Sequence, residues 1–299
     1  MTASRSAVQQ STVAGSQSSV YVHPMARFER RALDPAHLRP RRTAFTFPNS
    51  IPRHWLAGSP TRSHFFNAIN LFVVAFEDFM VRVMRSQLPH LKNDPEFSRQ
   101  VRGFMGQEAT HSYVHEKFLS NLRQQGYRID GYLGAAERVF TQVFEKRLGL
   151  RVCISMIAGF EHLTALLSEI VLSSRMMKQA EPFMAELWEW HAAEEIEHKE
   201  MAFELLKRTS RSYLLRMVGG LLGGLVVAGF IGVGMVMLLR QDGELRQKRT
   251  WADLKGLLFG SEKMVSRGLA IFLEYFRPGF HPSQRDTYHL AESVFQRAQ

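Results

Sequence analysis

The chain has 299 residues, a formal net charge of +10 and a single cysteine, Cys153, inside an apolar run. One cysteine excludes an internal disulfide framework and suits a reducing compartment, while 45% hydrophobic residues can fill a sizeable core. The basic excess suits an anionic partner; with no zinc-finger spacing and no aromatic-rich strand pattern, nucleic acid is set aside in favour of a membrane surface.

Residues 1–45 read as a disordered basic arm. No acidic residue precedes Glu29, and Arg27, Arg30, Arg31, Arg39, Arg41 and Arg42 follow a Ser/Gln/Thr-rich start. Residues 46–210 read as a helical bundle. Its first helix covers about 65–88 and carries Glu77 in an apolar run. Asp94-Pro95 is an N-cap followed by proline at the first helical position, opening a second helix that Gly126 stops. The stripe of that helix is Phe97, Val101, Phe104, Glu108, His111, His115, Phe118 and Leu122, with spacings of three and four throughout. A turn at Asp130-Gly131 and a short crossover helix are expected next. A third core helix, about 148–173, has Glu161 on the stripe Ile154, Ile157, Glu161, Thr164. A fourth begins after Glu181-Pro182 and runs to about Lys207, with Met184, Trp188, His191, Glu195, His198, Ala202 and Leu205 on one face.

Residues 211–250 read as a membrane-associated segment. Met217 to Leu239 is 23 residues without a charge, long enough to cross a bilayer. Seven of the 23 are glycine, which weakens a helix in water but allows close helix contact in lipid. A buried hairpin of a soluble domain is the alternative. Basic residues flank both ends, so they give no orientation. Residues 251–299 hold further helices that pack on the bundle, broken by the turn Phe276-Arg277-Pro278-Gly279-Phe280-His281-Pro282.

Charged and polar side chains on core stripes need a reason. Glu108-x-x-His111 and Glu195-x-x-His198 each place two ligand types on one helix face. Each pair is preceded by a single glutamate, Glu77 or Glu161, at separations of 31 and 34 residues. That order is the ligand set of a carboxylate-bridged dinuclear site in an all-α, ferritin-like four-helix bundle. Four glutamates balance two divalent ions, which makes burial of the charge tolerable. Oxygen and imidazole donors point to iron first, with manganese or zinc as alternatives. His191, four residues before Glu195, is expected as a third histidine ligand. His115, four after His111, is expected behind the ligands or as an alternative ligand. Asp78, Glu194, Glu197 and His162 lie off the stripes; Asp78 and Glu197 are weighed as partners of the histidine rings, and solvated or helix-pairing roles are preferred.

Gly106-Gln107-Glu108-x-x-His111-x-x-x-His115, the stretch Trp190–Lys199 and the turn Phe276–Pro282 resemble the signatures of a bacterial family catalogued as predicted metal-dependent hydrolases. The resemblance covers about residues 45–295. The ligand order also resembles that of the ferritin-like di-iron N-oxygenase of p-aminobenzoate, in ligand spacing alone. The leading expectation is an O2-activating oxidoreductase with two divalent ions, acting on a hydrophobic or amine substrate with an electron donor. The alternative is a hydrolase that uses the ions to activate water, as the family name implies; metal storage is the non-enzymatic one. Cytoplasmic placement at the inner face of the membrane and a homodimer complete the expectations.

Overall fold

The computed structural model describes residues 28, 29 and 33–297; most of the expected basic arm, with Arg27, Arg30 and Arg31, lies outside them. The protein is all-α. Among the described residues only two isolated bridges occur, Phe28 with Thr43 and Leu56 with Ala180.

Four long helices build the centre: α1 (Pro60–Gln87), α2 (Pro95–Gln124), α4 (Leu150–Ser173) and α5 (Pro182–His198), with α3 (Asp130–Arg138) in the crossover. Their starts follow from the sequence. Ser59, Asp94 and Glu181 accept the backbone N–H of Arg62, Phe97 and Met184, each with proline at the next position. Gly126, at φ +92°, ends α2 in a conformation that other residues adopt at a cost. The expected turn at Asp130-Gly131 is therefore earlier, and Asp130 already opens α3. The crossover continues as a π-helical turn, Val139–Glu145. It drops Phe140 and Phe144 into an aromatic cluster with Phe72, Phe76 and Phe79 of α1 and Phe160 of α4. The fourth predicted helix is broken at Lys199 and Glu200, so that α6 (Met201–Thr209) is a separate piece.

α1 packs on α2 and α4 on α5; α7 (Tyr213–Gln241) lies across both α1 and α4. It is one helix, which removes the hairpin alternative. Its glycines make this contact: a Cβ on Gly219 would lie 2.1 Å from Ser155 Oγ, and one on Gly159 would lie 2.6 Å from Gly220 Cα. The small residues thus serve packing within the chain. The opposite face of α7 remains apolar and exposed, with Leu214 72% and Leu225 71% accessible. α4 is also apolar enough to cross a membrane by composition, but it carries Glu161 and sits in the core. After α8 (Lys248–Phe259) and α9 (Met264–Glu274), α10 (Tyr288–Gln296) packs on α5.

Residues 33–45, expected as the end of a disordered arm, lie against the bundle. Leu38 and Phe45 are buried, and Arg41 is 2% exposed. Gly103 and Gly106 on α2 make room for this strap: a Cβ on either would meet Leu38 O at 2.0 Å or Pro40 Cγ at 2.5 Å.

Candidate metal centre

α1 contributes Glu77, α2 contributes Glu108 and His111, α4 contributes Glu161, and α5 contributes His191, Glu195 and His198. Two quartets form, each with ligand atoms within 4.8 Å of one another: Glu77, His111, His191 and Glu195, then Glu108, His111, Glu195 and His198. They share His111 and Glu195. Of these two only the carboxylate has two oxygens with which to bridge two ions. Glu161 belongs to neither quartet but touches the second, its Oε2 3.2 Å from His198 Nδ1. None of these residues is more than 5% exposed.

Hydrogen bonds set which ring nitrogens face inward. His111 Nε2 lies 3.0 Å from Glu194 Oε2, and the other oxygen of Glu194 accepts from Arg41 at 2.8 Å. Nδ1 of His111 is left facing Glu195 Oε1 at 3.5 Å and Glu108 Oε2 at 3.8 Å. His198 gives Nδ1 to Glu161, so its Nε2 meets Glu108 Oε1 at 2.9 Å without the alignment of a hydrogen bond. His115 stands outside both quartets: its Nε2 is 2.9 Å from His191 Nδ1, behind the inward-facing nitrogen.

Charges respond to this crowding. Burial, joined by Glu108 and Glu195, pushes Glu77 well above the usual carboxylate range, with His111 opposing. Burial and the same two neighbours push Glu161 to about 8. Against burial, His198 and His111 hold Glu108 down to about 2. Burial is likewise outweighed at His111 and His198, whose carboxylate neighbours lift them well above the ordinary imidazole value. Burial and the positive charge of His111 keep His115 neutral, with a value of about 3, and also depress His191.

The donor set fits cations. Glu77 Oε2, both Glu108 oxygens, His111 Nδ1, Glu161 Oε1, Glu195 Oε2 and His198 Nε2 are buried without a hydrogen-bond partner. Each such group costs about 1–3 kcal/mol. Carboxylate oxygens and imidazole nitrogens that converge without hydrogen bonds between them are what a divalent ion satisfies, once it displaces the protons they hold.

Sequence reasoning missed the ring of support around this cluster. Glu194 and Glu197, expected on solvated faces, are buried. Glu197 receives Arg41 at 2.6 and 2.9 Å, Gln107 at 2.7 Å and the backbone N–H of Asp34 at 2.8 Å. It therefore anchors the strap, while Glu194 orients His111. Asp78 accepts from Ser112 at 2.9 Å instead of orienting a ligand ring. His162 lies off the cluster as expected, its ring nitrogen 2.8 Å from Ile271 O. His281 in the C-terminal turn pairs with Glu204 at 2.7 Å.

A third group, His54, His64 and Asp242, also converges. Hydrogen bonding decides against a metal there. Trp55 Nε1–H, which can only donate, binds Asn67 Oδ1 at 2.9 Å. Asn67 Nδ2 therefore donates to His64 Nδ1, and His64 Nε2 must carry the proton it gives to Asp242 at 2.7 Å. Tyr127 and Arg53 donate to the same carboxylate, at 2.9 Å each. This is a latch that ties the end of α7 to the start of α1.

The sequence model of one protein family, described as predicted metal-dependent hydrolase, matches residues 39–286, a span that holds both quartets and Arg41. No curated protein and no solved structure matches the chain.

Proposed function

Since the chain belongs to the family of predicted metal-dependent hydrolases, we propose that it is a metal-dependent enzyme that holds two divalent ions and carries out a hydrolysis. The observation that carries this reading is the pair of buried quartets joined by Glu195. Glu77, His111 and His191 would hold one ion, Glu108 and His198 the other, with Glu195 between them and Glu161 completing the set through Oε1. The ions, when bound, would supply Lewis-acid activation of water and of a carbonyl or phosphoryl oxygen or, if redox-active, electrons for dioxygen.

The chain's own part is positioning and exclusion. Glu194 holds His111 by its Nε2 proton, and Glu161 holds His198 by its Nδ1 proton. Phe104 against His198 and Trp190 against His111, at ring separations of 4.8 and 5.0 Å, keep bulk water from the rings. A second reading, an O2-activating di-iron oxidoreductase, is favoured by the enclosure itself. A site exposed by no more than 5% at any of these residues admits a diatomic molecule more readily than a bulky ester or amide.

We assign the exposed apolar side chains of α7, together with exposed Phe259, Leu269 and Leu273, to the inner surface of an anionic membrane. Exposed Arg211, Arg240, Arg246 and Lys248 lie at its ends. A hydrophobic substrate drawn from that bilayer fits this placement. Pelleting with phosphatidylglycerol vesicles, lost in L225E/F259E, is the expected result.

The chemistry is tested by anaerobic loading with zinc, manganese or ferrous iron, metal counting, and assay of carboxylic and phosphoric ester panels. Turnover with zinc or manganese in the absence of oxygen supports hydrolysis. Oxygen uptake confined to the iron form supports the second reading. Equal, substoichiometric metal in wild type and E195A would sink both.

A further inference from the structure

His191 differs from the other two inward histidines because its outer nitrogen meets no carboxylate. Its Nδ1 faces another histidine, His115. Two neutral rings in contact share one proton in one of two directions, and the neighbours decide which. Asn70 Nδ2 lies 3.3 Å from the backbone carbonyl of His115, which can only accept. That bond fixes the Asn70 amide, so its Oδ1 is the atom that meets His115 Nδ1. An amide oxygen can only accept, so His115 carries its proton on Nδ1. His115 Nε2 is then bare and accepts from His191 Nδ1–H. His191 Nε2 is left bare as well, 3.3 Å from Glu195 Oε1. Two lone pairs face each other there, an arrangement that a cation relieves.

We propose that Asn70 and His115 are positioning residues that fix His191 in its Nδ1–H tautomer and present Nε2 as a ready metal ligand. This rests on the metal reading of the quartets for its purpose, but the tautomer is a property of the metal-free chain. The contrast with Asn67, three residues earlier on the same helix, supports it. There Trp55 turns the amide the other way and His64 becomes a donor through Nε2. Helix α1 therefore sets two histidines in opposite tautomers by the direction of two asparagine amides.

The test is nitrogen-15 NMR of ring-labelled histidine in metal-free full-length protein, with titration of cobalt or manganese in parallel. Wild-type His191 is expected in the Nδ1–H form. N70L and H115F remove the fixed acceptors, so Nε2–H signal should appear at His191 and metal affinity should fall about 10- to 100-fold. N70D keeps an oxygen acceptor for His115 and should keep the wild-type tautomer. His191 as Nε2–H in the metal-free wild type, a measurement that needs no variant, overturns the relay. So does an unchanged tautomer in folded H115F. If the wild-type tautomer is as expected yet no divalent ion binds, the relay stands and the metal reading of the site fails.

Discussion

Arg41 gives the sharpest test of how the site is held. Its guanidinium donates to Glu194 at 2.8 Å and to Glu197 at 2.6 and 2.9 Å, with both Arg41 and Glu194 side chains out of contact with water. R41M removes one cation from between two buried carboxylates. Glu197 keeps Gln107 and the Asp34 N–H, whereas Glu194 keeps only His111 among these hydrogen bonds. Breaking a buried ion pair on one side costs about 3–5 kcal/mol. At about 2 °C per kcal/mol for a chain of this size, Tm should fall by about 6–10 °C. Differential scanning calorimetry of the metal-free protein reads the loss directly. R41M/E197Q removes one of the stranded charges and should recover about 1–3 kcal/mol, the coupling expected of groups in one network. Metal affinity should fall with stability, because the unanchored Glu194 no longer holds the His111 ring. If R41M melts within about 1 °C of wild type, the strap is ornamental and the network reasoning is wrong.

Glu77 and Glu161 are pushed upward, Glu161 to about 8, and His111 and His198 are raised as well, so the metal-free cluster holds protons at pH 7. Ligation must displace them, and apparent metal affinity should rise with pH from 6 to 8; calorimetry in buffers of different ionisation enthalpy should register net proton release, and none would refute the crowding. G219A forces α7 off Ser155 and should cost about 1–3 kcal/mol, whereas G229A, with open space around its Cβ, should gain about 0.5–1 kcal/mol in urea denaturation; equal signs would contradict the packing assignment. At Asp242, burial would raise the carboxyl, but hydrogen bonds from His64, His54 and Tyr127 win and depress it. A depressed carboxylate stabilises the fold above its unfolded pKa of about 4 and loses that contribution as pH falls through the folded value. The wild type should therefore lose stability below about pH 4 more steeply than D242N, while D242N at pH 7 should already be weaker by about 1.5–3 kcal/mol; parallel pH profiles would exclude the latch.

Periodicity carried the sequence reading a long way. A stripe with steps of three and four puts Glu108 and His111 on the apolar face of a helix whatever the rest of the chain does, because 3.6 residues per turn is a local property. The N-caps at Asp94 and Glu181 and the stop at Gly126 are local in the same sense, since each satisfies its own helix end. All-α architecture and the residues that converge were thus legible from order and spacing. What lies around them was not. Glu194 and Glu197 sit off the stripe, but they fall in the part of α5 from Trp190 to His198 where every residue is buried, among α4, the strap and α10, and a stretch enclosed all round has no polar face to read. Arg41 looked like one arginine of a basic arm; only the room left by Gly103 and Gly106, 62 and 65 residues later, carries it into the core. The glycines of α7 read first as lipid contacts; only the fold shows Ser155 and Gly159 meeting them across a helix crossing. The tautomers of His64 and His191 depend on which way two asparagine amides point, and only partners from other segments fix that. Covalent order sets which side chains share a face; the direction of each proton is decided by neighbours that the fold brings within hydrogen-bonding distance.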